Sequence, residues 1–163
     1  MKYAAIRTCD IANGEGVRVS LFVSGCTHHC KGCFNPEQWS FDYGEEFTSE
    51  TEAKILDAIG ESYVDGLSIL GGEPMEPENQ LALVLFLRRF RERFGGRKTL
   101  WVYTGCVLES QLKVPSHWRT DLTDEFLSMI DVLVDGPFIE EQKDISLKFR
   151  GSANQRILKL KNF

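Results

Sequence analysis

Residues 24–35 read SGCTHHCKGCFN, and they place Cys26, Cys30 and Cys33 within eight positions of the chain. Thiolates and imidazoles are the softest ligands that a protein offers to a transition metal, so a loop this rich in them predicts a metal centre. A closed structural site usually takes four protein ligands, whereas three ligands leave one coordination position open for a substrate or cofactor. The spacing therefore predicts an open metal site.

Two kinds of metal centre are compatible with three thiolates. Zinc would need a fourth ligand from His28 or His29, but both lie inside the loop between two cysteines, where reaching the same ion is strained. An iron–sulfur cluster normally takes four thiolates, and with three thiolates one iron stays exposed to a small chelating ligand. Cys9 and Cys106 lie outside the motif, and we predict that they are small buried apolar residues rather than ligands.

Length and composition favour one soluble domain over residues 1–163. The chain is 42% hydrophobic and 26% charged, as is typical of globular proteins that bury a core. Its formal net charge of −5 disfavours binding to nucleic acid or to an acidic membrane surface. Residues 1–7 contain no signal-peptide core, and the longest apolar run, 81–87, is too short to span a bilayer. We therefore expect a cytoplasmic protein that binds neither nucleic acid nor membrane.

Hydrophobic periodicity predicts strands that alternate with helices. Asn13-Gly14 predicts a hairpin turn after the first strand. Alternation predicts βα units and a parallel sheet, and the units are too few for a closed eight-stranded barrel. The prediction is an α/β fold with an incomplete, TIM-like barrel. The predicted strands are 3–12, 17–23, 66–70, 99–103, 130–134 and 156–160, and the predicted helices are 48–63, 78–94 and 122–129, with a loop over 36–47.

Glycines and polar residues directly follow several predicted strands. Ligands of α/β sheets bind at the carboxyl ends of strands, so we expect these segments to form one site with the cysteine loop. Gly71 and Gly72 have no Cβ to block a close ligand, and Glu73 or the carbonyls beside it would suit a ligand's ammonium group. Thr104 and Asp135 could reach a cofactor or a cation, or serve structure alone, and the sequence favours neither role.

The second predicted helix ends in a basic run. Such a run forms either a solvated face or a docking patch for a partner, and we favour the solvated face because charge runs usually serve solvation. The residues are Arg88, Arg89, Arg91, Arg93, Arg97 and Lys98.

These motifs together resemble the radical S-adenosylmethionine (SAM) superfamily, and more narrowly the activating proteins of anaerobic (class III) ribonucleoside-triphosphate reductases. The resemblance extends over almost the whole chain. Glu15 and Phe34 stand where that family usually has Pro and often has Tyr, and neither change removes a ligand. The matching blocks are Asn13-Gly14-x-Gly16-x-Arg18, 21–26, 32–35, 67–68, 71–74, 101–105, 132–136 and 150–155.

The resemblance implies a site as well as a fold. It implies that the three motif cysteines hold a [4Fe–4S] cluster and that SAM chelates the fourth iron through its amino and carboxylate groups. It also implies that Gly72 lines the site of the methionine amino group, and that backbone around Gly32, Cys33 and Phe34 contacts the adenosine. The implied fold is a partial barrel of the radical SAM type.

The resemblance further implies a reaction and two partners. An electron from a low-potential donor such as a flavodoxin would cleave SAM to methionine and a 5′-deoxyadenosyl radical. That radical would remove a hydrogen atom from a glycine of the large subunit of the reductase and leave a glycyl radical there. The alternatives are an activase of another glycyl-radical enzyme, a simple iron–sulfur electron carrier, and a zinc-binding interaction module. Two segments have no assigned role at this point. The sequence favours a structural and a functional role equally for Asn13-Gly14 with Arg18, and likewise for 150–155.

Overall fold

The computed structural model describes residues 1–161, which fold around a seven-stranded mixed sheet with three α-helices. Short 3₁₀ turns at Pro36–Trp39 and Glu140–Gln142 and a π-helical turn at Leu108–Leu112 lie in the connections. The strands are β1 (Lys2–Asp10), β2 (Arg18–Val23), β3 (Glu45–Glu46), β4 (Gly66–Gly71), β5 (Thr99–Tyr103), β6 (Val132–Asp135) and β7 (Arg156–Lys159), and the helices are α1 (Ser49–Ile59), α2 (Pro77–Phe94) and α3 (Thr123–Met129).

The centre of the sheet is parallel and its flanks are antiparallel. The strand order is β3-β1-β2-β4-β5-β6-β7, in which β2, β4, β5 and β6 pair in parallel. β1 pairs antiparallel with β2 and β3, and β7 pairs antiparallel with β6. The three parallel pairings follow from helical connections, which return the chain to the same end of the sheet. The predicted α/β class with a parallel centre is confirmed, and the partial TIM-like barrel stays a prediction.

Most differences from the predicted elements lie at their ends. α1 ends at Ile59, earlier than the expected 63, and Gly60 is its C-cap residue. Glycine is a poor helix former, which favours an end at this position. The connection between β1 and β2 spans residues 11–17, so it is longer than the tight turn that Asn13-Gly14 predicts. The expected loop 36–47 contains the first 3₁₀ turn and the two residues of β3.

The long helix α2 covers the sheet with one apolar face. Its Leu83, Phe86, Leu87 and Phe90 are fully buried in a core cluster that also contains apolar residues from one face of β2, β4 and β5. Removing each such side chain from water contributes about 1.5–3 kcal/mol to folding. Across residues 1–161 no helix is both long and apolar enough to cross a bilayer.

The basic end of α2 is neutralised within the protein. Arg91 Nη2 lies 2.6 Å from Asp131 Oδ2, and Arg88 Nε lies 2.6 Å from Glu125 Oε1. Arg89 pairs with Glu52 and Arg93 with Asp57, while Arg97 and Lys98 bond main-chain carbonyls. The choice between a solvated face and a docking patch stays a prediction, although each of these side chains already has a partner within the protein.

Arg18 is a fully buried cation at the start of β2. Its Nε donates to Ser68 Oγ at 2.7 Å, and Nη1 donates to the Glu15 carbonyl and Thr99 Oγ1, both at 3.0 Å. Nη2 donates to the carbonyls of Leu67 and Thr99 at 2.8 and 2.9 Å. All five guanidinium donors are thus satisfied without a carboxylate partner. Burial lowers the pKa of Arg18 to about 10, which leaves it charged at neutral pH. Its role is to connect β2 to β4 and β5.

Replacing Arg18 by Met should lower the free energy of unfolding by about 3 kcal/mol, because buried hydroxyl and carbonyl groups lose their donors. The exposed Arg88 provides the matched control, and Arg88→Met should cost less than about 1 kcal/mol because surface ion pairs contribute little. Urea unfolding followed by circular dichroism measures both changes. Equal losses in the two variants would contradict the structural role of Arg18.

Candidate metal centre

The carboxyl ends of the parallel strands surround a cleft of about 640 Å³. Gly32, a predicted contact of the cofactor, is not among the described residues that line the cleft. The position that a Cβ on Gly32 would take lies against the side chain of Glu140. The structure thus brings together segments that follow β2, β4 and β5. The predicted site residues that line the cleft are Cys26, Cys30, Cys33, Phe34, Gly71, Gly72, Glu73 and Thr104.

The cysteine loop presents three free thiols at the cleft. Cys26, Cys30 and Cys33 are partly buried, and none of the chain's five cysteines, all within the described residues, forms a disulfide. The loop is fixed at its start, where the N–H of Cys26 donates to the carbonyl of Trp39 at 3.1 Å. Burial raises the pKa of Cys26 to about 12 and also raises that of Cys30. A bound metal would have to displace these protons, because the thiolate is the metal ligand.

Neither loop histidine is placed as a fourth ligand. His28 Nε2 lies 2.7 Å from Glu73 Oε2, so that nitrogen is already paired. The His29 ring is exposed and packs on Trp39 with ring centroids 4.5 Å apart. The available donor set is therefore three sulfurs, which fits an iron–sulfur cluster with one open iron better than it fits a closed zinc site.

The carboxylate of Glu73 is fully buried and accepts four hydrogen bonds. Oε1 accepts from Thr104 Oγ1 and from the N–H of Met75, both at 2.8 Å. Oε2 accepts from the N–H of Gly105 at 2.8 Å and pairs with His28 Nε2 at 2.7 Å. A carboxylate has about four acceptor positions, and here the protein fills all of them. The sequence predicted that either Glu73 or the main-chain carbonyls beside it would bind a ligand's ammonium group. Because the carboxylate of Glu73 has no acceptor position left, the carbonyls are the remaining candidates.

The paired glycines allow the end of β4 to contact the cysteine loop directly. A Cβ on Gly72 would lie 2.6 Å from the carbonyl oxygen of Gly25 and 3.0 Å from that of Gln38. Gly71 has a φ of +107°, which L-residues with side chains rarely adopt. The N–H of Gly72 donates to the carbonyl of Val23 at 2.7 Å. The glycines therefore allow the two loops to pack closely against each other.

Comparison with known proteins indicates a 4Fe-4S domain. The 4Fe-4S single cluster domain family matches residues 12–158. The anaerobic ribonucleoside-triphosphate reductase-activating protein of Pasteurella multocida is 41% identical over 165 residues, covering 100% of both chains. The proteins of the same name from Escherichia coli K12 and from Enterobacteria phage T4 are 38% and 35% identical, covering 95% and 96% of this chain and 96% and 93% of their own.

The chain belongs to this family of activating proteins.

Glu76 is a second buried carboxylate, and the sequence analysis did not single it out. Its Oε1 accepts from the N–H of Thr27 at 2.7 Å and from the Thr27 hydroxyl at 2.6 Å. Its Oε2 lies 3.3 Å from His117 Nε2. Glu76 thereby ties the cysteine loop to the start of α2. One sequence signal could have indicated that Glu76 lies at the start of a helix. It directly precedes Pro77, and proline is common in the first turn of a helix.

Asp135 and Cys106 have structural roles, and Cys9 departs from its prediction. Asp135 is buried and accepts from Arg156 Nε at 2.9 Å and from the N–H of Leu108 at 2.9 Å, away from the cleft. Cys106 is fully buried, as predicted. The prediction that Cys9 is buried is wrong: it is exposed, and it lies in the stretch 7–9 of β1 in which every residue is exposed.

The segment between β6 and β7 forms the opposite wall of the cleft. The Phe138 ring packs on Phe34 at 5.0 Å between centroids. Gly151 N–H donates to Gln155 Oε1 at 2.8 Å, and Arg150 Nη1 donates to the Gln155 carbonyl at 2.7 Å. Residues 150–155 are therefore a self-bonded turn that also lines the cleft. No local pattern indicated that this distant turn would face the cysteine loop.

Replacing Gly72 by Ala should lower the free energy of unfolding by about 1–3 kcal/mol, because the new Cβ collides with main-chain oxygens that cannot rotate away. Gly96→Ala is the matched control, since a Cβ there meets no atom within 4 Å. Thermal unfolding of the metal-free proteins measures both changes. A Gly72→Ala protein as stable as the Gly96→Ala protein would contradict the close contact between the loops.

Proposed function

We propose that this protein is a radical SAM activase that generates a glycyl radical on anaerobic ribonucleoside-triphosphate reductase. Cys26, Cys30 and Cys33 would hold a [4Fe–4S] cluster, and SAM would occupy the rest of the cleft. One observation carries this proposal: three free thiols share a cleft with the Gly-Gly-Glu segment in a chain whose relatives bear the name of reductase-activating proteins.

The proposal divides the chemistry between the bound groups and the chain. When bound, the cluster and SAM supply reductive cleavage that yields methionine and a 5′-deoxyadenosyl radical. The chain supplies thiolates from the cysteine loop and main-chain acceptors near Gly72 for the methionine ammonium. Phe34 and Phe138 supply apolar surface that keeps water from a reactive intermediate.

The proposal also covers the fold type, the cellular compartment and two protein partners. We propose that the parallel centre of the sheet is a partial barrel of the radical SAM type, open on the side of the cleft. The protein substrate is the large subunit of the reductase, and a low-potential carrier such as a flavodoxin donates the electron. Free thiols suit a reducing compartment, and on this basis we propose that the reaction takes place in the cytoplasm.

Anaerobic reconstitution tests the cluster and the cleavage of SAM. The wild-type protein should bind about four iron and four sulfide per chain and should form 5′-deoxyadenosine from SAM when dithionite is added. Cys30→Ala should lose both properties, because it removes one of three ligands. Cys9→Ala is the matched control, since Cys9 is an exposed thiol on β1, and it should keep both. A colourless zinc protein that leaves SAM intact would contradict the proposal.

Electron paramagnetic resonance (EPR) tests the protein substrate. Mixing the reduced, SAM-loaded protein with the anaerobic reductase should produce the doublet of a glycyl radical, in an amount that depends on SAM. Cleavage of SAM without that signal would contradict the choice of substrate and favour another glycyl-radical enzyme. A cluster that is reversibly reduced without cleaving SAM would favour the electron carrier.

A further inference from the structure

His28 points from the cysteine loop into the protein, where its side chain is only 10% exposed. Its ring stacks on the indole of Trp118, with centroids 4.6 Å apart and planes 15° from parallel. Its Nε2 lies 2.7 Å from Glu73 Oε2 and 3.7 Å from Cys106 Sγ. An imidazole held by stacking and a hydrogen bond has lost most of its rotamer freedom, so it fixes the backbone that carries it.

The bond to Glu73 connects segments that follow three different strands. Thr104 and Gly105, after β5, donate to the same carboxylate that pairs with His28, after β2. Glu73 itself follows β4, directly after Gly72. Of the four hydrogen bonds on this carboxylate, the bond to His28 is the one that comes from the cysteine loop. A main-chain bond from the N–H of Glu73 to the carbonyl of Gly25 joins the same two segments at the start of the loop, and the bond to His28 adds a connection nearer to Cys30.

The cysteine loop is held at both ends. At its start, main-chain bonds fix Gly25 and Cys26, and Glu76 binds Thr27. At its far end, Phe34 packs on Phe138 and Lys31 pairs with Glu140 at 3.3 Å, so these contacts face the segment between β6 and β7. Between the two ends, His28 is the contact that joins the loop to the carboxylate at the strand ends.

The neighbouring His29 has none of these contacts. It is exposed, its ring lies against Trp39, and it has a φ of +50°. The two adjacent imidazoles therefore differ in their surroundings although they share the same loop. This difference provides an internal control.

We propose that His28 is a positioning residue that, through its hydrogen bond to the buried Glu73 carboxylate, holds the cysteine loop at the distance from Gly72 that SAM binding requires. It is not a ligand of the metal. The inference rests on the proposed function, because it concerns the relation between the cluster site and the SAM site. Loss of the hydrogen bond should leave three thiolates able to hold iron. The cluster site and the Gly-Gly-Glu segment would then no longer be spaced to bind one SAM molecule together.

Two substitutions separate the hydrogen bond from the ring. His28→Phe keeps a ring that can stack on Trp118 but removes the donor to Glu73. His28→Gln removes the ring but keeps an amide Nε2 that can reach the same carboxylate. His29→Asn is the matched control, because asparagine tolerates a positive φ and His29 does not contact Glu73.

Each protein is reconstituted anaerobically, and three quantities are measured: bound iron and sulfide, far-UV circular dichroism, and the Kd for SAM from the change in the EPR signal of the reduced cluster. His28→Phe should keep its iron and its circular dichroism while SAM binding weakens about tenfold or more, as is typical when a group supporting a metal site is removed. His28→Gln should bind SAM more tightly than His28→Phe, and His29→Asn should match the wild type.

Several results would overturn the inference. Unchanged SAM affinity in His28→Phe overturns it while the proposed function survives. Loss of iron from folded His28→Phe and His28→Gln proteins would make His28 a ligand, and an unfolded His28→Phe protein beside a folded His28→Gln protein would make its role purely structural. A wild-type protein that binds a cluster but no SAM overturns the proposed function and this inference together.

Discussion

A carboxylate without access to water is stable only when donors within the protein replace its hydration. Glu73 satisfies this condition with four hydrogen bonds, two from main-chain N–H groups and two from the side chains of His28 and Thr104. Losing a single donor would leave a buried negative charge partly unsatisfied, so the surrounding segments cannot move independently. The geometry of the cleft depends on this one group, although the group itself has no acceptor position left for a ligand.

The cysteine count and the positions of the glycines carried most of the functional prediction. Ligand chemistry is local, so the spacing of Cys26, Cys30 and Cys33 can be interpreted without a fold. The strand ends could also be predicted, because β-branched runs stop at glycines and polar residues. The sequence therefore indicated which segments would meet, and the structure places them around one cleft.

The partners of buried polar groups could not be predicted in the same way. His28 and Glu73 are 45 positions apart, and the acceptors of the Arg18 hydrogen bonds come from three segments of the chain. No periodicity or local spacing encodes such pairs, because they form only when strands have found their neighbours. For the same reason no local pattern indicated that Glu76 would bind Thr27. Hydrophobic patterning predicts which faces of strands and helices are buried. The hydrogen-bond partners of buried polar groups depend on how those elements pack in the folded protein.

The missing side chain of Gly72 has a mechanical consequence. Its Cα rests against the carbonyl oxygens of Gly25 and Gln38 with nothing compressible between them. Side chains ordinarily absorb small displacements by changing rotamer, but two backbones in direct contact have no such buffer. A displacement of either loop at this contact is therefore passed directly to the other. The two loops act as one rigid part, although they are far apart in the sequence.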